Sequence, residues 1–425
     1  MTWSLDNLRS ILGIGIIVAV AWALSDGKKR VPWRIVGIGL LLEIAIGVAM
    51  FALPPVRVVL AAASDAIDAL MVATEKGAQF VFGHLAGGPA PFAVTDPSNQ
   101  TVLAFGALQL IIVISALSAM LWRWGVLEVA CKGLGFVLKR TMGLNGPLAL
   151  STAANIFLGM VESPLVVRPY LEKMSRSDLF VIMTTGLATI AGTVMALYAT
   201  FLKATQPDAA GHILVASFMA APGSIVIARI MTPQVEGEAA QPEQPSPRMY
   251  RSTMDAFARG VQDGVNLLIA VVAMLLAAVA LVALADMILG LLPEVAGGHL
   301  TIGRIFGWIF APFMWLIGIP WADALHAGEL MGEKTALNEF LAYLDLSKVP
   351  TGVIEDRTRL MLVYALCGFS NFASLAIMIG GLSSLCPERR NDFADMGMRS
   401  LVAGTLTTML SAAFIGAVPL EWLKL

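Results

Sequence analysis

Two carboxylates stand in stretches where a strongly apolar chain has little reason to carry them. Glu162 lies inside NIFLGMVESPLVVRPYL (155–171), and Glu339 lies inside LNEF (337–340). An ionised acid within a membrane costs several kcal/mol unless it is paired or wetted, so such residues mark functional sites by default. The chemistry open to them is to accept hydrogen bonds from a polar solute, to bind a cation or proton, or to act as an acid–base pair. Asn155 and Thr189 add side-chain oxygens, and the carbonyls of Leu158 and Ile190 can complete an oxygen cage. Sodium is a hard cation, and by analogy with calcium it favours such ligands. Asn371 lies in GFSNFASL (368–375) and Thr189 in GLATIAGT (186–193), where glycines and small hydroxyl residues interrupt apolar runs. Broken helices expose carbonyls that bind cations and helix N-termini that favour polar or anionic groups. Gly186, Ala191 and Gly192 read more simply as close helix packing. Phe369 by itself reads as a packing residue, although its ring can also stack on another.

The elements that hold these residues are membrane helices. The 425 residues are 57% hydrophobic and 14% charged, well below the quarter charged that is usual in soluble domains. The net charge of −2 gives no sign of a nucleic-acid partner. Three cysteines (131, 367, 386) and four histidines (84, 212, 299, 326) are dispersed, with no spacing for a disulfide framework or a metal centre. The first apolar run, 11–24, ends in Asp26-Gly27-Lys28-Lys29-Arg30 without a small-residue cleavage pattern and is expected to be a retained anchor.

Full spans are expected at 8–25, 35–53, 101–122, 179–201, 211–231, 261–291, 358–382 and 398–419, at about 20 residues per crossing. Residues 55–80, 125–140 and 302–317 read as interfacial helices, and 144–172 and 325–345 as re-entrant hairpins. Charge supports the hairpins through the positive-inside rule. Lys28–Arg30 and Arg34 place the first loop in the cytoplasm, as do Arg123, Lys132, Lys139 and Arg140 two crossings later. If 144–172 crossed, Arg168, Lys173, Arg176 and a loop bearing Arg229, Arg248 and Arg251 would lie outside; as a hairpin, all stay inside. Arg389, Arg390 and Arg399 then fall inside and both chain ends outside. The polar stretch 232–252 is a Pro-, Glu- and Gln-rich loop. On this reading 1–100 form N-terminal spans and an interfacial helix, 101–231 a first repeat, and 253–425 a second. Each repeat has three crossings, so the second is inverted, a common plan of secondary transporters.

NIFLGMVESPLVVRPYL, GLATIAGTVMALY, GWIFAPFMWLIGIPW, LNEFLAYL and ALCGFSNFASLAIMIGGLSSLCPERRNDFADMGMRSLVAGTL occur in this order, and the chain from about 30 to 419 resembles the concentrative nucleoside transporter family. The resemblance implies a bacterial inner-membrane protein with eight spans, two hairpins and three interfacial helices, assembled as a homotrimer. It implies nucleoside entry coupled to a sodium or proton gradient. Residue by residue, it makes Glu339, Asn371 and Ser374 ribose ligands with Phe369 beside them, and turns Glu162 toward the base. Asn155, Thr189 and the carbonyls of Leu158 and Ile190 match the family's sodium site. One departure stands out: the family's first hairpin commonly reads G-Q-[ST]-E, whereas here Met160 and Val161 replace the two hydrogen-bonding residues. Losing such groups relaxes discrimination among bases.

Sodium symport is the expected function, with no cofactor. Proton coupling through Glu162 or Glu339 is its closest rival, but Asn155 favours sodium because the oxygen set needs no proton. An intramembrane enzyme using the two acids as a catalytic pair lacks a nucleophile–base set or a metal motif such as H-E-x-x-H. A channel lacks a charged ring or filter-like repeat.

Overall fold

The computed structural model describes residues 4–94, 101–235, 249–295 and 297–423. Most of the expected loop 232–252 therefore lies outside the described residues. Eighteen α-helices run through the described chain, beginning with α1 (Leu5–Ala23), α2 (Trp33–Ala52) and α3 (Pro54–Phe82). The first half of the remainder comprises α4 (Leu110–Arg123), α5 (Val126–Met142), α6 (Gly146–Asn155), α7 (Glu162–Leu165), α8 (Arg168–Leu171), α9 (Arg176–Ala188), α10 (Gly192–Leu202) and α11 (Ala209–Met231). The second half comprises α12 (Thr253–Leu289), α13 (Ile302–Leu316), α14 (Trp321–Ala336), α15 (Glu339–Lys348), α16 (Asp356–Leu366), α17 (Phe372–Leu385) and α18 (Arg390–Ala417).

Among the described residues, six helical stretches are long and apolar enough to cross a membrane: α1, α2, α9 with α10, α11, α12 and α18. Two expected crossings have another form. The stretch expected to span from 101 begins its α-helix only at Leu110, and α5 follows it at a bend of 73°. Residues 101–106 instead wind into a tight turn. The Phe105 and Gly106 N–H groups both donate to Val102 O, and a Cβ on Gly106 would sit 2.6 Å from Thr101 Cγ2. The other is α16–α17, whose interruption at 367–371 is the break expected at GFSNFASL. Conversely, α12 starts eight residues before the expected span. Ser252 caps it by accepting from the Asp255 N–H at 3.1 Å, and Arg259 pairs with Asp255 one turn on. Cap and pair extend the polar end of the helix.

Helices α9, α11 and α18 are buried on nearly every side, whereas α1, α2, α3, α12 and α13 leave large apolar side chains exposed. Exposed Leu276, Leu281 and Met287 on α12 are what a lipid-facing helix requires. Its inner edge is made of small residues: a Cβ on Gly260 or Gly264 would press on the α4 backbone at Ala116 or Ile112, each at 2.7 Å. Close approach through small residues is how membrane helices gain packing contacts.

Arg229, expected in a basic loop, lies instead inside α11 and is buried. It donates to Asp178 Oδ1 at 2.5 Å and Ser177 Oγ at 2.6 Å, and Asn145 Nδ2 donates to Asp178 Oδ2 at 2.9 Å. Pairing with a carboxylate that is itself hydrogen-bonded is what permits a guanidinium to sit there.

Candidate substrate and ion site

Four irregular segments converge at the centre. Two are bends between helix arms, at 156–161 and at Leu337-Asn338, and two are breaks in the spans that follow, at 189–191 and 367–371. The breaks are joined directly: the Phe369 N–H donates to Thr189 O at 3.3 Å, and the Ser370 hydroxyl to Leu187 O at 2.8 Å. Gly368 makes this approach possible, because a Cβ there would lie 2.9 Å from both the Leu187 and Ala188 carbonyl oxygens.

Asparagines start the inner helices. Asn338 caps α15 by accepting from the Leu341 N–H at 3.0 Å, and Asn371 caps α17 by accepting from the Ser374 N–H at 2.7 Å. Asparagine is among the preferred N-cap residues, so the sequence itself favours helix starts here. The cap also aims the rest of the amide: Asn371 Nδ2 donates to Glu339 Oε2 at 2.8 Å. The Tyr198 hydroxyl donates to the other oxygen, Oε1, at 2.7 Å, and its ring stacks on Tyr343 with centroids 4.8 Å apart. Glu339 is thus held from both sides as an acceptor.

Glu162 is held differently. It is the first residue of the short helix α7, and its side chain folds back along the chain. It lies over Gly159, where any Cβ would collide with Oε2. Pro164 and Pro169 sit in the second arm, which is not one helix but the two short pieces α7 and α8.

A cavity of about 250 Å³ is lined by Met160, Val161, Glu162, Glu339, Phe369 and Ser374. Leu158 also faces it, together with Tyr198, Tyr250 and Asp263. Asn371 is fully buried behind Glu339 and takes part only through it. The cavity shares Trp122, Glu162, Met249, Tyr250 and Asp263 with a wider vestibule of about 930 Å³, whose walls carry Arg123, Lys132, Arg168 and Arg259.

Asn155 and Thr189 lie outside the cavity wall, buried and touching one another. Asn155 Nδ2 donates to Thr189 Oγ1 and, at 2.9 Å, to Thr185 O, while Oδ1 accepts from the Ser163 hydroxyl at 2.7 Å. Leu158 and Ile190 follow these residues closely along the chain. The cluster contains only neutral oxygen and amide groups and joins the first bend to the first break. Such oxygens suit a small hard cation.

Several site residues escaped the sequence reading. Tyr198 and Ser163 stood inside quoted motifs without a role, although a buried tyrosine usually finds a hydrogen-bond partner. Away from the cavity, Glu43, a lone acid in mid-span, is fully buried in α2 and accepts from the Ser411 hydroxyl at 2.8 Å. Lys334 is fully buried in α14.

Comparison with known proteins agrees with this architecture. A family model described as "Na+ dependent nucleoside transporter C-terminus" matches residues 212–416, and its N-terminal counterpart matches 12–85. A model described as "Gate: Nucleoside recognition" matches 104–205. An uncharacterized transporter of Haemophilus influenzae is 38% identical over 96% of this chain and 97% of its own. Nucleoside permease NupC of Helicobacter pylori is 33% identical over 97% of each. The solved structure of CNTnw in an inward-facing substrate-bound state superposes with a TM-score of 0.87 at 36% identity, covering 96% of this chain and 98% of that one.

Proposed function

Because this chain belongs to the sodium-dependent nucleoside transporter family, we propose that it is a symporter that imports nucleosides across the bacterial inner membrane, driven by the sodium gradient. It is an integral membrane transporter and not an enzyme. The observation that carries the reading is the cavity at the junction of the two broken spans, with Glu339 held between Tyr198 and Asn371 and Glu162 across from it. A carboxylate has acceptor capacity beyond the two protein donors. Glu339 therefore accepts from the ribose hydroxyls, while Asn371 holds it in place and Ser374 and Phe369 complete the ribose side. Glu162 faces the base beside Met160 and Val161, whose side chains offer it no hydrogen bond. Base discrimination is correspondingly broad.

Sodium is carried at the neighbouring cluster by Asn155, Thr189 and the carbonyls of Leu158 and Ile190. The ion orders the first bend against the first break, and Glu162 begins the helix that follows that bend. Ion binding therefore raises nucleoside affinity, and nucleoside binding raises ion affinity by the same factor. The vestibule lies among the basic residues that the positive-inside rule assigns to the cytoplasm, which supports an inward-open state. The exposed apolar faces of α3, α12 and α13 serve lipid contact and assembly into a homotrimer.

Uptake of labelled uridine and adenosine into proteoliposomes, with and without an inward sodium gradient, tests the reading. Sodium-dependent uptake that Glu339→Ala abolishes is the expected result. Uptake driven by external acid without sodium would move the coupling to protons, and no uptake of either probe would reject nucleosides.

A further inference from the structure

At each helix break a side-chain nitrogen reaches across to a backbone carbonyl in the last turn before the break. In the first half it is Asn155, the last residue of α6, whose Nδ2 donates to Thr185 O, 30 residues away. In the second half it is Lys334, near the end of α14, whose Nζ donates to Ala365 O at 2.7 Å, 31 residues away, and to Thr408 Oγ1 at 3.0 Å. The two breaks lie back to back through the Phe369–Thr189 and Ser370–Leu187 hydrogen bonds. The halves thus place a donor at matching stations, but one is a neutral amide and the other an ammonium.

The difference is chemical. An ammonium buried in a membrane protein without a close counter-ion is costly. Lys334 is fully buried, and its hydrogen bonds go to a carbonyl and a hydroxyl oxygen and not to a carboxylate. Hydrogen bonds to Ala365 O and Thr408 Oγ1 alone would be met by a neutral amide at lower cost. What the amide lacks is charge; Glu339 starts the next helix five residues on and is held by Asn371, at the far end of the break whose near end Lys334 binds.

We propose that the Lys334 ammonium is a tethered cation. It takes, at the break of the second half, the place that sodium takes at the break of the first, and it keeps the Glu339 side of the cavity charge-balanced whether or not sodium is bound. The carrier then needs one mobile ion where two equivalent stations exist. This rests on the sodium reading of the Asn155 cluster.

Lys334→Gln is the decisive variant, since it keeps two N–H donors on a chain one atom shorter but carries no charge; Lys334→Arg keeps the charge. Binding of labelled uridine and adenosine to purified protein is titrated against sodium. For Lys334→Gln, affinity at low sodium is expected to fall about tenfold or more and to recover at high sodium. The sodium Hill coefficient should rise from about 1 toward 2 as a second ion enters. Lys334→Arg should stay near wild type. A Gln variant with wild-type affinity and sodium curve would overturn the proposal, as would a loss that no sodium concentration restores. If wild-type binding ignores sodium altogether, the coupling assignment fails separately. A tenfold sodium-free loss in Gln but not Arg then keeps the tethered charge, and equal behaviour of both removes it. Should Lys334→Gln fail to give a monodisperse protein, the double variant with Glu339→Gln decides. Recovery on neutralising the carboxylate supports the charge role, and persistent failure overturns it.

Discussion

At the scale of single residues, the site depends on how its two acids are held. Glu339 receives one hydrogen bond per oxygen, from Tyr198 and Asn371. Hydrogen bonds to charged groups contribute about 1.5–3 kcal/mol each. Tyr198→Phe should therefore weaken nucleoside binding about 10- to 100-fold while leaving the half-saturating sodium concentration for binding nearly unchanged, measured by equilibrium binding. Loss of sodium response in that variant would mean that Tyr198 also serves the ion cluster. Across the cavity, Met160 and Val161 leave Glu162 as the polar residue beside the first bend. Restoring hydrogen-bonding side chains by Met160→Gln with Val161→Thr should widen the affinity gap between uridine and adenosine by about tenfold, because unpaired polar groups then reject the wrong base. Competition binding measures it. Glu162 was legible from its apolar surroundings alone. Tyr198 was not, because nothing local marks a tyrosine whose partner lies 141 residues away.

At the scale of elements, function lies where helices stop. Asn338 and Asn371 both start helices, and Asn371 also donates to Glu339, so a cap residue stands beside the carboxylate of the proposed binding site. The crossing of the two breaks depends on Gly368. Gly368→Ala would bring a methyl group to 2.9 Å from two carbonyl oxygens of the opposite break. Overpacking of this kind costs about 1–3 kcal/mol. A lower thermal midpoint in detergent is expected, together with transport impaired more than binding, since the strain falls where the two breaks are hydrogen-bonded to each other. The breaks themselves were readable in GLATIAGT and GFSNFASL. That they hydrogen-bond to each other was not, because the pairing joins Phe369 to Thr189 and Ser370 to Leu187 across 180 residues or more.

At the scale of the whole molecule, a buried group containing the breaks is set against exposed apolar helices. The 37-residue α12 is about 55 Å long at 1.5 Å per residue. That exceeds a hydrocarbon core of about 30 Å, which a helix accommodates by tilting or by projecting beyond it. Within the buried group the Arg229–Asp178 pair ties α9 to α11. Removing one partner of a buried pair costs about 3–5 kcal/mol, whereas replacing both can be nearly neutral. Arg229→Met should therefore destabilise sharply, and Arg229→Met with Asp178→Asn should regain most of the loss in thermal unfolding. A double variant no better than the single would show that the pair's charges are not the source. The sequence by itself determined the membrane class, the helix stretches, the interrupting glycines and asparagines, and the two out-of-place acids. These are local signals, carried by hydropathy, cap residues and the cost of a charge in an apolar run. Only the tertiary structure decided that Arg229 is buried and not in a loop, that Tyr198 and Asn371 share one carboxylate, and that Lys334 stands at the second break as Asn155 stands at the first. Those outcomes depend on partners brought together by folding, and a buried polar group declares its role only when its partner is known.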